Sequence, residues 1–148
     1  MKAILLFFAM ALLSMCSSTK TIVLNRYSKE IVFFDHSDEY YENGSLKKCK
    51  LSNAVVLNGY ECISWLHLFK EGTIKQFETA KDIKRSTFVI PTGSIIFLDE
   101  NNPTYLKTIW FSRDVKIGAV LCKGGNKIAV SFYPNGKIKA CFLSEDQI

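Results

Sequence analysis

The sequence predicts an all-β fold, an antiparallel β-meander built from about four stacked hairpin repeats after an N-terminal signal peptide. Three observations support this prediction. A short phrase with a glycine at its centre recurs along the chain, runs rich in aromatic and β-branched residues flank each copy, and no segment has a convincing amphipathic helical period. The 148 residues, 48% of them hydrophobic, are enough for one domain with one core.

The first element along the chain is a targeting segment. Lys2 provides a positive charge before the apolar run 3–13, which is too short to span a bilayer comfortably. Residues 13–16 read Leu-Ser-Met-Cys and resemble a lipobox, where a bacterial signal peptidase cuts before a cysteine that then carries lipid. Met15 departs from that pattern, because a small residue usually precedes the cysteine.

We therefore expect residues 1–15 to be a lipoprotein signal peptide and Cys16 to be the lipidation site, with 16–20 as anchor and short tether. Acyl chains would hold the protein at the membrane, since each buried methylene contributes about 0.8 kcal/mol. No aspartate follows Cys16, so the expected location is the outer membrane, on its periplasmic or surface face. The alternatives are an ordinary secretory signal, which would make the protein secreted, and an uncleaved anchor.

The remaining chain, 21–148, is predicted to be a single β-repeat domain with repeat turns near residues 44, 72, 102 and 136. An apolar residue follows each turn, at intervals of 28, 32 and 32 residues: Leu46, Ile74, Leu106 and Ile138. A lysine follows each of these: Lys47, Lys75, Lys107 and Lys139. Self-similarity at such a period is typical of repeat architectures, in which neighbouring units cover each other's apolar faces.

The residues at the turns predict their geometry. The second copy has Glu71 where the others have asparagine, and glutamate tolerates left-handed angles poorly. Pro134 fixes φ near the value that the first central position of a type I turn requires. We therefore predict a type I turn closed by a left-handed glycine in a bulge, at Gly44, Gly72 and Gly136.

Between the hairpins we expect single connector strands, at 54–62 and 116–125, with 86–100 in the matching place and a turn at 91–93. Residues 123–127 are interpreted as a hairpin turn. Two further strands are predicted ahead of the repeats, at 21–25 and 30–35. The total is about ten short strands.

The four lysines would occupy equivalent sites, and stacking in register would align them as a cationic row. Such a row can keep sheet edges apart by remaining solvated. It can also be a docking line for an anionic glycan, lipid A or an acidic protein. Trp65 and Trp110 are interpreted as core residues or cross-strand pairs rather than a ligand platform; an exposed set of aromatic side chains would instead favour a glycan or protein site.

Four cysteines remain after Cys16: Cys49, Cys62, Cys122 and Cys141. An even number in an exported chain permits two disulfides, and four cysteines allow three connectivities. The shortest loops join Cys49 to Cys62 and Cys122 to Cys141. The alternative is that the cysteines are free and buried as small hydrophobic residues.

An aromatic residue before Asn-Gly, followed by L/I-K-x-C-x-L-S, resembles the MORN-variant (YwqK-like) repeats of bacterial exported proteins, and most of all a group of uncharacterised spirochaete (leptospiral) lipoproteins. The resemblance covers about residues 36–148. The first copy matches at Tyr41, Asn43, Gly44, Leu46, Lys47, Cys49, Leu51 and Ser52. The last copy matches at Tyr133, Asn135, Gly136, Ile138, Lys139, Cys141, Leu143 and Ser144. The second copy lacks the cysteine and the third lacks the compact turn. The resemblance implies an extended meander with a binding or scaffolding surface.

The sequence contains no catalytic, metal-binding or nucleotide-binding motif, so we expect no enzyme, no cofactor, no metal and no small-molecule substrate. The net charge of +5 is spread along the chain without a run of five like charges, which argues against a nucleic-acid partner. The expected function is that of a non-catalytic binding protein, held to the membrane by lipid, with a protein or anionic glycan as partner. The alternative is a purely structural or non-lipidated periplasmic repeat protein.

Overall fold

The computed structural model describes residues 17–144, and it is all-β. The predicted signal peptide and Cys16 lie outside the described residues. The fifteen strands are β1 (Thr19–Leu24), β2 (Lys29–Phe34), β3 (Glu39–Tyr40), β4 (Leu46–Lys50), β5 (Val55–Leu57), β6 (Tyr60–Leu68), β7 (Ile74–Thr79), β8 (Ile83–Lys84), β9 (Val89–Ile90), β10 (Ile95–Leu98), β11 (Leu106–Trp110), β12 (Val115–Ile117), β13 (Val120–Cys122), β14 (Ala129–Phe132) and β15 (Ile138–Ala140). A three-residue 3-10 turn at Asn25–Tyr27 is the one helical element in this part of the chain. No helix among the described residues has the length and apolar character needed to cross a bilayer.

A main sheet of four antiparallel hairpins forms one layer. Its strands lie in the order β15-β14-β11-β10-β7-β6-β4-β3, so each hairpin is the neighbour of the next along the chain. The hairpins are β3–β4, β6–β7, β10–β11 and β14–β15. The predicted all-β antiparallel meander is confirmed.

Three of the four hairpin turns have the same geometry. Gly44, Gly72 and Gly136 have φ of 79°, 79° and 78°. In the first turn, the Gly44 amide donates to the Tyr41 carbonyl (2.9 Å) and the Tyr41 amide donates to the Ser45 carbonyl (2.8 Å), and the same two bonds recur at the other two turns. The predicted type I turn with a glycine bulge is therefore confirmed. The stretched third turn closes differently, with the Asp99 amide donating to the Tyr105 carbonyl (3.2 Å).

The expected single connector strands are wrong, because each connector folds back on itself as a short hairpin. We call these the satellite hairpins: β1–β2, β5 with the first part of β6, β8–β9, and β12–β13. The expected ten strands become fifteen for this reason. Residues 123–127 are not a hairpin turn, since β13 pairs with β12 whereas β14 pairs with β11.

Strand β6 belongs to both layers. Its first residues pair with β5 and its last residues pair with β4, while β7 pairs with both parts. The change of partner occurs at Ser64, whose φ is 57° and whose carbonyl accepts the Leu51 amide at 2.8 Å. A residue in the left-handed region bends a strand, which is how one strand can leave the main sheet for a satellite hairpin.

The core lies between the satellite hairpins and the inner face of the main sheet. A single cluster of buried residues runs from Leu24 to Phe132 and includes side chains of both layers. The satellite hairpins thus cover the apolar side of a sheet whose other side faces solvent, a common arrangement for antiparallel sheets.

Candidate binding face

One row of paired residues crosses all eight strands of the main sheet on its solvent side. The row consists of Glu39, Lys48, His67, Gln76, Phe97, Thr108, Ser131 and Ala140. A second row lies one pleat further along and is interrupted at β6: Lys50 pairs with Trp65, whereas Ile63 begins the continuous run of Glu78, Ile95, Trp110 and Ala129. We call these two rows the outer face. The intervening residues, such as Cys49, Phe77 and Ile109, are fully buried on the inner side.

Both tryptophans of the chain lie on the outer face. Trp65 is 40% exposed, so its assignment to the core is wrong. Trp110 is partly exposed and packs edge-on against Phe97, with ring centroids 4.7 Å apart. This contact is a cross-strand pair, as anticipated, but it sits on the solvent side of the sheet. Trp65 is thus exposed, whereas Trp110 and Phe97 are half-buried, and the three aromatic side chains lie on the same solvent-facing side of the sheet.

A shallow groove of about 340 Å³ runs between the two tryptophans. Trp65 lies on β6 and Trp110 on β11, and the two intervening strands place them about 14 Å apart at three strand spacings. The floor contains His67, Gln76 and Glu78, with Lys48 and Lys127 also lining the groove. It offers ring faces, hydrogen-bonding groups and charge along one line.

Ion pairs set the charge at one end of the groove. Lys48 Nζ lies 2.6 Å from a Glu39 carboxylate oxygen and 5.6 Å from the centre of the Trp65 ring. The hydrogen bond from Lys48 is the main reason why the pKa of Glu39 is lowered. Lys48 is thus fixed between a carboxylate and an aromatic ring face, where a cation is favoured.

His67 is the histidine of this groove. Burial lowers its pKa, and the nearby charges of Lys48 and Lys75 lower it further. His67 is therefore neutral at neutral pH and presents one nitrogen as donor and one as acceptor.

Each repeated lysine is the additional residue of a β-bulge. In the first hairpin, Glu39 pairs with Lys48 and Tyr40 pairs with Leu46, which leaves Lys47 without an opposite residue. The same register skip leaves out Lys75, Lys107 and Lys139. A bulged residue has no place in the pleat, so a long, charged side chain that reaches solvent suits it.

The four lysines are all exposed and recur every second strand, about 10 Å apart. They are not equally available to a ligand. Lys47 lies 3.4 Å from Glu39 and Lys107 lies 3.8 Å from Asp99, whereas Lys75 lies over the Phe69 ring at 5.7 Å. Lys75 and Lys107 line one shallow depression together with Phe97. The row therefore borders the outer face rather than forming a separate cationic strip.

The cysteines belong to the inner layer. Cys49, Cys62 and Cys122 are buried, Cys141 is half-buried, and all four are free thiols. Burial raises the pKa of Cys49, Cys62 and Cys122 to about 12, so these three are poor nucleophiles. Cys62 is buried whereas His67 lies on the outer face, and the two do not form a catalytic pair. Within residues 17–144, no three His, Cys, Asp or Glu side chains are placed to hold a metal ion.

The structure thus brings Cys122 to Cys141, gathers both tryptophans with Lys48 and His67, and spreads the four repeated lysines along one border. No protein-family model, curated protein or solved structure matches the chain.

Proposed function

We propose that the protein is an exported, lipid-anchored, non-catalytic binding protein, and that the outer face of its main sheet holds the partner. The observation that carries the proposal is the position of both tryptophans on the solvent side of a sheet whose core is complete without them. A solvated sheet face normally carries polar residues. Large aromatic residues grouped on such a face are typical of recognition surfaces.

The chemistry of the groove favours an extended anionic glycan as the partner. Tryptophan rings give flat apolar surfaces for the carbon-bound hydrogens of sugar rings, and the distance between them suits a chain lying across the strands. His67, Gln76 and Glu78 can exchange hydrogen bonds with hydroxyl groups. Lys127 in the groove and the bordering Lys75 supply positive charge for carboxylate, sulfate or phosphate groups, whereas Lys48 and Lys107 already lie beside Glu39 and Asp99.

The anchor would hold the domain close to the membrane. Strand β1 begins at Thr19, so only Ser17 and Ser18 separate it from Cys16, and the three residue-to-residue steps span about 10 Å at full extension. A tether at residues 16–20 would be short, because Thr19 and Lys20 are already paired in the first satellite hairpin.

The binding part is tested with full-length protein in detergent, offered a sulfated polysaccharide and a neutral polysaccharide of the same length. We expect the sulfated chain to bind more tightly and Trp65→Ala and Trp110→Ala each to weaken binding about tenfold. Phe142→Ala is the matched control, because Phe142 is exposed at 68% outside the groove. Equal affinities for wild type and both tryptophan variants would contradict the proposal. An acidic protein binding in place of either polysaccharide would contradict the assigned ligand class.

The anchor is tested separately, by mass spectrometry of the N-terminus with and without an inhibitor of the lipoprotein signal peptidase. A diacylglyceryl group on Cys16 is expected, and the inhibitor should leave residues 1–15 attached. An unmodified N-terminus elsewhere would contradict the lipid anchor and leave the binding face to be judged by its own experiment.

A further inference from the structure

Cys122 and Cys141 occupy a pair of core positions that recurs in the repeats. A residue of the satellite hairpin pairs with the end of the main hairpin: Phe33 with Leu51, Cys62 with Thr79, and Cys122 with Leu143. In each of these repeats, the residue two positions before Leu51, Thr79 or Leu143 lies on the same core side. These residues are Cys49, Phe77 and Cys141.

The contents of this pair differ between repeats. The first repeat has Phe33 with Cys49 and the second has Cys62 with Phe77, so each combines one ring with one small side chain. The fourth repeat has two cysteines and no ring. Protein cores are close-packed, so two small side chains at a site that elsewhere holds a ring require some other way to hold the layers together.

The backbone places the two cysteines as diagonal neighbours, whose Cα atoms lie about 7–8 Å apart with the Cβ atoms somewhat closer, so a small backbone movement brings them within the range of a disulfide. The Lys123 amide donates to the Phe142 carbonyl at 2.8 Å, and the Ser144 amide donates to the Leu121 carbonyl at 3.0 Å. With Cys122 opposite Leu143, alternation puts Cys141 on the same side as a diagonal neighbour. Burial raises the pKa of Cys122, and the neighbouring Cys141 thiol raises it further.

We propose that Cys122 and Cys141 form a disulfide that joins the C-terminal end of the main sheet to satellite hairpin β12–β13. The proposal rests on the proposed export, because disulfides persist in oxidising compartments. The oxidant is a disulfide-containing thiol oxidase or a small-molecule disulfide. The half-buried Cys141 thiolate attacks one sulfur of that disulfide and releases the first thiolate, which takes the proton of Cys122; the Cys122 sulfur then attacks the Cys141 sulfur and releases the second thiolate, which takes up a proton from solvent.

The other pairings are excluded by distance. Cys49 pairs opposite Leu66, four residues along β6 from Cys62, which is a separation on the order of 10 Å. Cys49 and Cys62 lie five or more strands from β15 in the main sheet, which places them more than about 20 Å from Cys141. A disulfide needs Cα atoms closer than about 7 Å. Cys49 and Cys62 are therefore expected to stay reduced.

The proposed disulfide lies at one edge of the main sheet, where it can stabilise the last hairpin. β15 is the edge strand of the main sheet and has β14 as its one neighbour there. Phe142 and Leu143, which follow β15, are 68% and 50% exposed. A covalent link at this end would keep the last hairpin from opening.

The experiment uses purified full-length protein incubated in oxidised glutathione, then alkylated in denaturant and digested with trypsin without reduction. We expect residues 117–123 linked to residues 140–148, with Cys49 and Cys62 alkylated. Alkylation of both Cys122 and Cys141, or a link from either of them to Cys49 or Cys62, would overturn the proposal. Because the oxidant is supplied, this result does not depend on export. The same digest of protein from the cell envelope tests export separately, since a bridge formed with glutathione but missing there would contradict export alone.

Thermal unfolding gives a second measurement. Reduction should lower the melting temperature of the oxidised wild type by about 5–10 °C. Cys141→Ser should lose this response to reductant, whereas the matched control Cys49→Ala should keep it. A response of equal size in Cys141→Ser would also overturn the proposal.

Discussion

The two faces of the main sheet use the same strands for different purposes. On the inner face, Cys49, Phe77 and Ile109 are fully buried beneath the satellite hairpins. On the outer face, the alternating residues include Trp65 and Trp110, which no second layer covers. The inner face is enough to explain folding, so the side chains of the outer face are free to serve recognition. Substitutions on the two faces should therefore separate stability from binding.

The largest expected effect is on the inner face. Phe77 is fully buried and packs against the Tyr60 ring at 4.9 Å between centroids. Phe77→Ala should lower the free energy of unfolding by about 3–5 kcal/mol, because it leaves a cavity between the layers. Denaturant unfolding measures this change. A loss no larger than that of Trp110→Ala would contradict the assignment of the two faces.

The next largest loss of stability is expected at Gly124, in the segment that joins satellite strand β13 to main-sheet strand β14. A Cβ added at Gly124 would lie 1.9 Å from the Arg113 carbonyl oxygen, so backbone would have to move. Gly124→Ala should cost about 2–3 kcal/mol through this clash. Lys123→Ala, at the exposed neighbouring position, is the control in the same unfolding experiment. Equal free energies of unfolding for the two variants would contradict the predicted clash, because the backbone around Gly124 would then accommodate the added Cβ.

The outer-face substitutions should change stability little. Trp65→Ala removes a side chain that is 40% exposed, and Lys75→Ala removes one that is the additional residue of a bulge. We expect losses below about 1 kcal/mol for the tryptophan and about 0.5 kcal/mol for the lysine. A loss as large as that of Phe77→Ala, in either variant, would mean that the outer face carries part of the fold.

The smallest effect is a dependence on pH. The pKa of His67 lies below its ordinary 6.5 in the folded protein, mainly through burial. The unfolded chain therefore takes up a proton first, and the His67 contribution to stability is lost as pH falls below about 6.5. His67→Gln should flatten unfolding free energy against pH between 7.5 and about 5. An unchanged slope would contradict the partial burial of this ring.

The sequence was sufficient for the meander and its turns because the deciding residues are local. Gly44, Gly72 and Gly136 require a left-handed position, and the repeat spacing locates each hairpin. The satellite hairpins were missed although Asn58-Gly59, with φ of 51° and 79°, is a strong two-residue hairpin signal. A single strand over 54–62, as the repeat spacing predicts, leaves no place for a turn at Asn58-Gly59.

The outer face could not be predicted from alternation alone. An aromatic residue in a strand fits either side, and the side is set by register with the neighbouring strands. The bulge at Lys47, Lys75, Lys107 and Lys139 changes that register once in every hairpin. The bend at Ser64 changes it again within β6, and this is the strand that carries Trp65. Long-range pairing therefore decides where both tryptophans point.

The most direct test of the separation between folding and binding is the double variant Trp65→Ala/Trp110→Ala, measured for both properties. The account predicts a β-rich circular dichroism spectrum and a melting temperature within a few degrees of wild type, together with loss of sulfated polysaccharide binding. A double variant that binds as wild type does, or one that no longer folds, would contradict it.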